Sequence, residues 1–181
     1  MIQSPPIGLS PRLRSTPFTR RVEEAGVSSY TVYNHMQLPT SFASLEADYV
    51  HLKNAVQIWD VACERQIEIT GSDAGWLVQM LTPRDLSNLK IGKCYYAPMV
   101  DENGGMLNDP VLLKLEEDRY WFSIADSDLL YWIKGLAYGF KLNVKVREPD
   151  VSPLGIQGPK AEDLMAQIVG DQIKNFPFFN L

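Results

Sequence analysis

The sequence predicts an α+β fold in which helices pack on an antiparallel or mixed sheet. Residues 95–100, 106–115 and 119–124 resemble three consecutive strands with short polar turns between them, the pattern of an antiparallel meander. With the neighbouring elements, the order is strand, helix, three strands, helix, strand. A doubly wound sheet would instead alternate single strands with helices, so that class is not favoured.

The first elements are a short strand and an amphipathic helix. Residues 30–32 are β-branched or aromatic, as in a strand, and Tyr33 opens the loop 33–35 that follows. Leu45, Tyr49 and Leu52 are spaced by four and three, which predicts a helix over 44–52 with these side chains on one face.

The next pair is a strand followed by a capped helix. Residues 66–70 alternate with period two, and Gly71-Ser72-Asp73 ends the strand and offers a cap. Thr82-Pro83 ends the helix. Its expected apolar stripe consists of Trp76, Leu77, Met80 and Leu81.

A glycine-rich turn at Gly104-Gly105 predicts a hairpin and places Asp109 at the entrance of an apolar strand. A carboxylate there is costly to desolvate unless it is hydrogen-bonded. Asp109 is therefore either a satisfied turn residue or a ligand group. Since Asn-Asp-Pro is good turn chemistry, the turn interpretation is favoured on local grounds.

The last helix and strand of the sheet follow the meander. Residues 126–128 offer N-cap oxygens for a helix, and Gly139 suits its C-cap. Leu142, Val144 and Val146 alternate as a further strand. The expected apolar face of the helix consists of Leu129, Trp132, Ile133 and Leu136.

Composition divides the chain into three parts. Residues 1–20, with four prolines, predict an extended N-terminal arm, with disorder as the alternative. Residues 21–148 form the α+β domain. Residues 149–181 start a second subdomain with a helix after Pro159, and this subdomain is expected to be truncated. Three aromatic residues within 176–179 need a covering surface, so we expect either a fragment or a second subunit, as in a homodimer.

Several classes of function are disfavoured. A net charge of −5 disfavours nucleic acid, and no apolar run predicts a membrane span or signal peptide, so a cytoplasmic location is expected. Cys63 and Cys94 lie in no metal-ligand pattern with His35 or His51, so no metal is expected and both thiols are interpreted as structural. Phosphate-loop, dinucleotide, nucleophile-elbow and zinc-protease signatures are absent from the sequence.

Aromatic residues on the predicted strands suggest a surface for a flat, partly polar ligand. Tyr95, Tyr96, Trp121 and Phe122 flank the strand that begins at Asp109, although ordinary cross-strand packing is the favoured interpretation. Glu64 has two interpretations. It faces a cationic ligand together with Trp59 or Tyr33, or it forms a solvated surface pair with Arg65, which is the more probable on sequence alone.

Four ordered motifs resemble those of the folate-binding aminomethyltransferase family, which includes the glycine cleavage T-protein. They are Trp59-Asp60-Val61 with 66–71, then 81–86, then Gly104 to Asp109, then 156–160. Within the family, residues 30–36, 64–66, 96–103, 108–111 and 121–126 are similar to those of demethylases that act on dimethylsulfoniopropionate. The resemblance covers nearly the whole chain and implies an aminomethyltransferase folate-binding domain.

The resemblance implies a set of site residues. The folate-contacting carboxylate of the family falls on Asp109, and the contact at the start of the preceding strand falls on Tyr96. Val111 and Leu113 would line the same pocket. The remaining folate-binding glutamate, tyrosine and arginine of the family belong to a part that this sequence does not contain, so the site would be incomplete.

The implied reaction transfers a methyl group from dimethylsulfoniopropionate to tetrahydrofolate and gives methylmercaptopropionate and 5-methyltetrahydrofolate. Asp109 would orient the folate, while Tyr33, Trp59 and Glu64 are candidates for the cationic substrate on the charge argument alone. The T-protein motif is altered to Cys63-Glu64, which favours the demethylase. The alternatives are a T-protein-like aminomethyltransferase and a non-catalytic folate-binding module.

Overall fold

The computed structural model describes residue 10 and residues 12–181, and in this part of the chain it has the predicted α+β fold. A 3₁₀ helix covers Asp171–Asn175. The α-helices are α1 Thr19–Glu24, α2 Leu45–Asn54, α3 Ala74–Met80, α4 Leu129–Gly139 and α5 Ala161–Val169. The strands are β1 Ser29–Tyr33, β2 Met36–Ser41, β3 Gln57–Asp60, β4 Gln66–Thr70, β5 Lys93–Tyr96, β6 Met99–Val100, β7 Met106–Asn108, β8 Val111–Glu116, β9 Arg119–Ser123, β10 Lys145–Arg147 and β11 Leu154–Gln157.

A five-stranded antiparallel sheet with the order β10-β4-β9-β8-β5 forms the centre of the fold. Two predicted strands are each divided at a proline. The strand predicted over 95–100 breaks at Pro98 into β5 and β6, and that over 106–115 breaks at Pro110 into β7 and β8. Proline lacks the N–H needed to continue a ladder. The short strands β6 and β7 pair as the predicted glycine-turn hairpin.

Helices α3 and α4 pack on one face of the sheet and close the core. Ile67, Ile69, Leu112 and Phe122 point into it from the strands and are almost completely buried. The buried helix residues are Ala74, Leu77 and Val78 in α3, and Leu129, Ile133 and Ala137 in α4.

The apolar faces predicted for α3 and α4 each include one tryptophan that lies outside the core. Trp76 is 53% exposed and Trp132 is 45% exposed, so the prediction that they face the core was wrong. Small alanines take the corresponding places because the helices lie close to the strands. The cap residues Asp73 and Asp128 make no side-chain cap bond, and Phe140 rather than Gly139 is the C-cap of α4.

A second group of strands was only partly predicted. The loop expected at 33–35 is a tight hairpin turn, in which Asn34 and His35 adopt φ angles of 48° and 60°, and it joins β1 to the unpredicted strand β2. Strands β3 and β11, also unpredicted, pair with each other across the sequence. Helix α2 begins as predicted, with the Ser44 side chain accepting the Ala47 N–H.

The predicted division into arm, domain and second subdomain stays a prediction. Residues 1–9 and 11 of the arm lie outside the described residues, while α1 begins at Thr19, before the expected end of the arm. The segment 149–181 is tied to the rest of the chain at two points. Strand β11 pairs with β3, and Asn180 bridges to Lys93 of β5.

Gly71 provides a test of how closely the sheet and the α4–β10 connection approach each other. It has a φ of 125°, and a Cβ there would overlap the backbone carbonyl oxygen of Asn143, whereas Gly26, with φ 84°, has open space around it. We expect Gly26→Ala to lower the free energy of unfolding by about 1–2 kcal/mol through backbone strain alone. For Gly71→Ala we expect a loss of about 3–4 kcal/mol, measured by urea unfolding. Equal losses would show that the close approach is absent.

Candidate functional site

Four neighbouring strands of the central sheet, β5, β8, β9 and β4, have one terminus each at the same end of the sheet. Tyr96 pairs with Val111, Val111 with Ser123, and Ser123 with Gln66. These residues are the end of β5, the start of β8, the end of β9 and the start of β4. The adjoining loops at 61–65, 97–98, 109–110 and 124–128 therefore meet here, and this group of termini and loops is called the sheet end below.

The sheet end collects the residues for which the family resemblance implied folate contact. Tyr96, Val111 and Leu113 lie on the face opposite the core, because Leu112 between the latter two points inward. Tyr96 is the last residue of β5, not a residue near the start of a strand as predicted, and it is 54% exposed. Asp109 lies two positions before Val111.

The four aromatic side chains singled out in the sequence are divided between the two faces. Phe122 is fully buried in the core, and Tyr95 packs against that core, so the packing interpretation is correct for these two. Tyr96 and Trp121 lie on the opposite face. Those two are the aromatic groups on the face that carries Val111 and Leu113.

Asp109 has an exposed side chain between two buried residues, Asn108 and Pro110. Asn108 is held by Ala125 and Ser127: its amide nitrogen donates to Ala125 O at 3.1 Å and to Ser127 Oγ at 2.8 Å, and its oxygen accepts the Ala125 N–H at 3.1 Å. The Asp109 carboxylate accepts no hydrogen bond from the described residues. Because the side chain is exposed, it is not desolvated, and the choice between a turn residue and a ligand group stays a prediction.

Asn34 fixes the sheet end from the opposite side. Its backbone N–H donates to Asp126 Oδ1 at 2.7 Å, and its side-chain nitrogen donates to Cys63 O at 2.9 Å. Its side-chain oxygen accepts the Ser127 N–H at 2.9 Å. The β1–β2 turn, the loop before β4 and the loop after β9 are therefore held by one buried amide, a role that no sequence signal beyond a loop asparagine could have shown.

Glu64 and Tyr33 lie near one another at the sheet end. Burial is the main cause of the raised pKa of the Tyr33 phenol; the Asp126 N–H opposes it, and the negative charges of Glu64 and Asp126 add to it. The Glu64 side chain is exposed, but neighbouring protein atoms remove part of the water around its carboxyl, and this desolvation raises the pKa of Glu64. The predicted solvated pair with Arg65 is wrong, because Arg65 is only 9% exposed and donates to Glu148 at 2.8 Å.

Trp59 lies in a different place from the other candidates. Its strand β3 pairs with β11, and its indole N–H donates to Gln57 Oε1 at 3.1 Å. The indole lines a cavity of about 550 Å³ formed with β2 and α2, and none of the residues that line this cavity belongs to the sheet end. The structure therefore does not bring Trp59 together with Glu64 and Tyr33.

A buried carboxylate, Glu68, occupies the sheet face beside Trp121. It is 2% exposed and accepts hydrogen bonds from Trp121 Nε1 at 2.8 Å, Arg119 Nε at 2.9 Å and Arg147 Nε at 2.6 Å. Burial alone would raise the pKa of Glu68, but these three donors outweigh it, so the pKa is lowered. Glu68 therefore stays ionised and orients the Trp121 indole on the face that carries Tyr96 and Leu113.

The cysteines have the environment of structural residues. Burial, with the charges of Glu64 and Asp60, raises the pKa of the Cys63 thiol to about 11, and burial also raises the pKa of Cys94. In the described part of the chain, no three His, Cys, Asp or Glu side chains are grouped so that they could hold a metal ion. No described helix is long and apolar enough to cross a membrane. The cytoplasmic location and the homodimer stay predictions.

Comparison with known proteins gives consistent results. The family model for the GCVT N-terminal domain matches residues 18–181. The chain is 55% identical over 170 residues to the dimethylsulfoniopropionate demethylase DmdA of Ruegeria pomeroyi, covering 94% of this chain and 47% of that protein. It is 31% identical over 146 residues to an aminomethyltransferase of Bacillus cytotoxicus, covering 79% of this chain and 40% of that protein.

A solved structure shares the fold. The glycine cleavage system aminomethyltransferase T from Bartonella henselae superposes with a TM-score of 0.81 at 22% identity, covering 93% of this chain and 46% of that one. At this identity the likeness shows the fold alone. The chain spans about half the length of the curated relatives it matches.

Glu68→Gln tests the buried charge on the sheet face. We expect the substitution to lower the free energy of unfolding at pH 7 by about 1–3 kcal/mol, since the glutamine cannot accept from all three donors as an anion does. Because the folded-state pKa of Glu68 is lowered, its stabilising contribution is present above the unfolded pKa of about 4.3 and is lost as the pH falls through the folded value. Urea unfolding across this acid range should show the two proteins converging. A pH-independent difference would contradict the assignment.

Proposed function

The chain belongs to the GCVT N-terminal domain family, and from that premise we propose that it forms the folate-binding part of a tetrahydrofolate-dependent methyltransferase that demethylates dimethylsulfoniopropionate. The single observation that carries the proposal is the exposed Asp109 carboxylate, which lies two residues before Val111, the strand partner of Tyr96, and has no hydrogen-bond donor among the described residues. The 55% identity to a protein named for this activity supports the choice of substrate.

The residues at the sheet end suit tetrahydrofolate chemically. A pterin is flat and carries N–H donors, and an ionised carboxylate accepts hydrogen bonds only, so Asp109 can hold the donor edge. The half-exposed ring of Tyr96 offers a flat surface, and Val111 and Leu113 offer apolar contact. When bound, tetrahydrofolate would supply the ring nitrogen that accepts the methyl group; the S–CH₃ bond would break as the N–CH₃ bond forms, and the proton of that nitrogen would pass to solvent.

Within this proposal the chain itself aligns the reactants. The leaving group is a neutral thioether and the sulfonium already carries the positive charge, so no side chain has to act as a nucleophile. Asp109 and Tyr96 would set the position and tilt of the pterin, and in-line alignment of donor and acceptor is the largest contribution that the protein can make. The rigid loops around Asn34 and Asn108 provide that alignment.

The substrate cation would lie against Glu64 and Tyr33. A carboxylate beside an aromatic ring is a suitable environment for a sulfonium group. Tyr33 and Glu64 adjoin Asn34 and Cys63, which are joined by a hydrogen bond of 2.9 Å from the Asn34 amide to the Cys63 carbonyl oxygen. Trp59, which lines the separate cavity, is not part of this subsite. Glu64 also lies where this chain departs from the motif of the glycine cleavage T-protein.

A T-protein-like aminomethyltransferase is the second candidate. The 31% identity to the Bacillus cytotoxicus aminomethyltransferase supports it. Dependence of activity on a lipoyl carrier protein would distinguish it from the demethylase. A folate-binding module without catalysis is the third candidate, and it would bind tetrahydrofolate without any methyl transfer.

Asp109→Asn tests the folate assignment in the full-length protein. We expect the Kd for tetrahydrofolate, measured by calorimetry, to rise about tenfold to a hundredfold through loss of a charge-assisted hydrogen bond, and methyl transfer to fall with it. The free energy of unfolding should change by less than about 0.5 kcal/mol, since the carboxylate has no described partner.

The control is Glu102→Gln, which removes the same charge from the exposed turn of the neighbouring hairpin and should change neither quantity. Absence of tetrahydrofolate binding by the unaltered protein would overturn the proposal. Binding without methyl transfer would favour one of the two alternatives.

Glu64→Gln tests the cation subsite. We expect the KM for dimethylsulfoniopropionate to rise about fivefold, equivalent to about 1 kcal/mol, with little change in the Kd for tetrahydrofolate. Since the pKa of Glu64 is raised, its charge is lost at a higher pH than for an ordinary glutamate, so KM should rise on acidification in the unaltered protein and stay flat in the variant. Identical pH profiles of KM in the two proteins would exclude Glu64 from the subsite.

A further inference from the structure

We propose that Phe179 is a positioning residue for Tyr96, and that the segment 176–181 thereby forms one wall of the pterin site. The inference rests on the proposed function for the role of Tyr96, and on the structure for the contact. It adds to the site a residue that lies 83 positions further along the chain and in no motif used above.

The rings of Tyr96 and Phe179 meet edge to face. Their centroids lie 5.4 Å apart and their planes are inclined by 85°, the arrangement that aromatic rings prefer. Tyr96 remains 54% exposed in spite of this contact, so a ligand can still reach its ring. Phe179 therefore supports the Tyr96 ring at an edge and does not fill the site.

The segment that carries Phe179 is fixed along the free edge of β5. The Cys94 N–H donates to Phe179 O at 3.0 Å, and the Leu181 N–H donates to Gly92 O at 3.0 Å. The Lys93 ammonium donates to Asn180 Oδ1, and the Asn180 amide donates to Pro177 O and Phe178 O at 2.9 Å each. Contacts on both sides of Phe179 thus hold its ring where it meets Tyr96.

Phe179 adopts an unfavourable backbone conformation to do this. Its φ is 54°, in the left-handed region that bulky residues rarely occupy. Such strain persists only where the surrounding structure imposes it, and it is concentrated at functional sites. Phe178, the neighbouring residue, is 86% exposed and has no positive φ. Its ring contacts the Phe179 ring, with centroids 4.2 Å apart, but makes no described ring contact with Tyr96, so it provides a comparison one step removed from Tyr96.

The test uses the full-length protein with Phe179→Gly, Phe179→Tyr and the control Phe178→Gly, each with and without Tyr96→Leu. Glycine accepts the positive φ, so Phe179→Gly removes the ring without adding strain. We expect Phe179→Gly to raise the Kd for tetrahydrofolate about threefold to tenfold, Phe179→Tyr to keep the Kd of the unaltered protein, and Phe178→Gly to have a clearly smaller effect than Phe179→Gly, since its ring contacts Phe179 and not Tyr96. Thermal unfolding of each variant identifies any that fails to fold. If Phe179→Gly fails to fold, the Kd of Phe179→Tyr for tetrahydrofolate is compared with that of the unaltered protein, and a raised Kd would contradict the inference.

The Tyr96→Leu background separates positioning from stability. Once the Tyr96 ring is gone, Phe179→Gly should change the Kd no further, whereas an effect through general destabilisation would persist. Equal effects in the two backgrounds, or an equal effect from Phe178→Gly, would overturn the inference.

A second measurement needs no folate. Fluorotyrosine at position 96 should show a ¹⁹F resonance that shifts with Phe179→Gly and shifts less with Phe178→Gly, whose ring reaches Tyr96 only through Phe179. If the unaltered protein binds no tetrahydrofolate, the proposed function fails, and this measurement still decides whether Phe179 positions Tyr96. An unmoved resonance would overturn the contact itself.

Discussion

Two buried asparagines, Asn34 and Asn108, impose the constraint on which the sheet end depends. An unsatisfied buried amide costs about 1–3 kcal/mol, so each side chain requires its partners in place. Both amides donate to the Ala125 carbonyl, and between them they also bind Cys63 O, Ser127 Oγ and the N–H groups of Ala125 and Ser127. The loop after β9 is therefore fixed from two directions, and through it the β1–β2 turn, the loop before β4 and the β7–β8 junction have one relative arrangement. Because Asp109 directly follows Asn108, its backbone position is set by the same contacts.

The second constraint is the difference between the two faces of the sheet. On one face Ile67, Ile69 and Phe122 meet α3 and α4 in a dry core. On the other, Glu68 is as deeply buried as a core residue but is surrounded by three donors. Because the Glu68 carboxylate accepts hydrogen bonds from all three donors, it fixes the orientation of those donor side chains, and Trp121 is one of them. A polar face of this kind can present aromatic and apolar groups to a ligand and still remain rigid.

The local sequence pattern predicted the helices and strands that local residues specify. It failed for strands that form only because they pair with a segment far away in the sequence. The alternation of 66–70 and the glycine turn at 104–105 each gave the correct element. The strands β3 and β11 have exposed or half-buried side chains apart from the buried Asp60, and they exist because they pair with each other across 93 intervening residues, from Asp60 to Leu154. Prolines 98 and 110 divided strands that periodicity alone would continue.

Asp109 could be selected only through the family resemblance, since local chemistry favoured a turn residue. Local pattern singled out the aromatic residues of 176–179 only as a group that needs a covering surface, and it gave no role to Asn34, Glu68 or Phe179 individually, because each acts through contacts with remote parts of the chain.

The chemistry proposed for the site explains why rigidity matters more here than reactive side chains. A sulfonium group is already activated, so the barrier depends chiefly on how well the accepting nitrogen is aligned with the methyl carbon, and a displacement of about 1 Å can cost a hundredfold in rate. The groups proposed to contact ligand, Asp109, Tyr96 and Glu64, are exposed. The groups that hold them, Asn108, Asn34 and Phe179, are buried or partly buried. Exposure leaves the first set free to meet the reactants, and the hydrogen bonds and ring contacts of the second set remove the freedom that exposure would otherwise allow. The site therefore depends on residues that act by holding other side chains in place, and substitutions among them should disturb the alignment of the groups that contact the ligand.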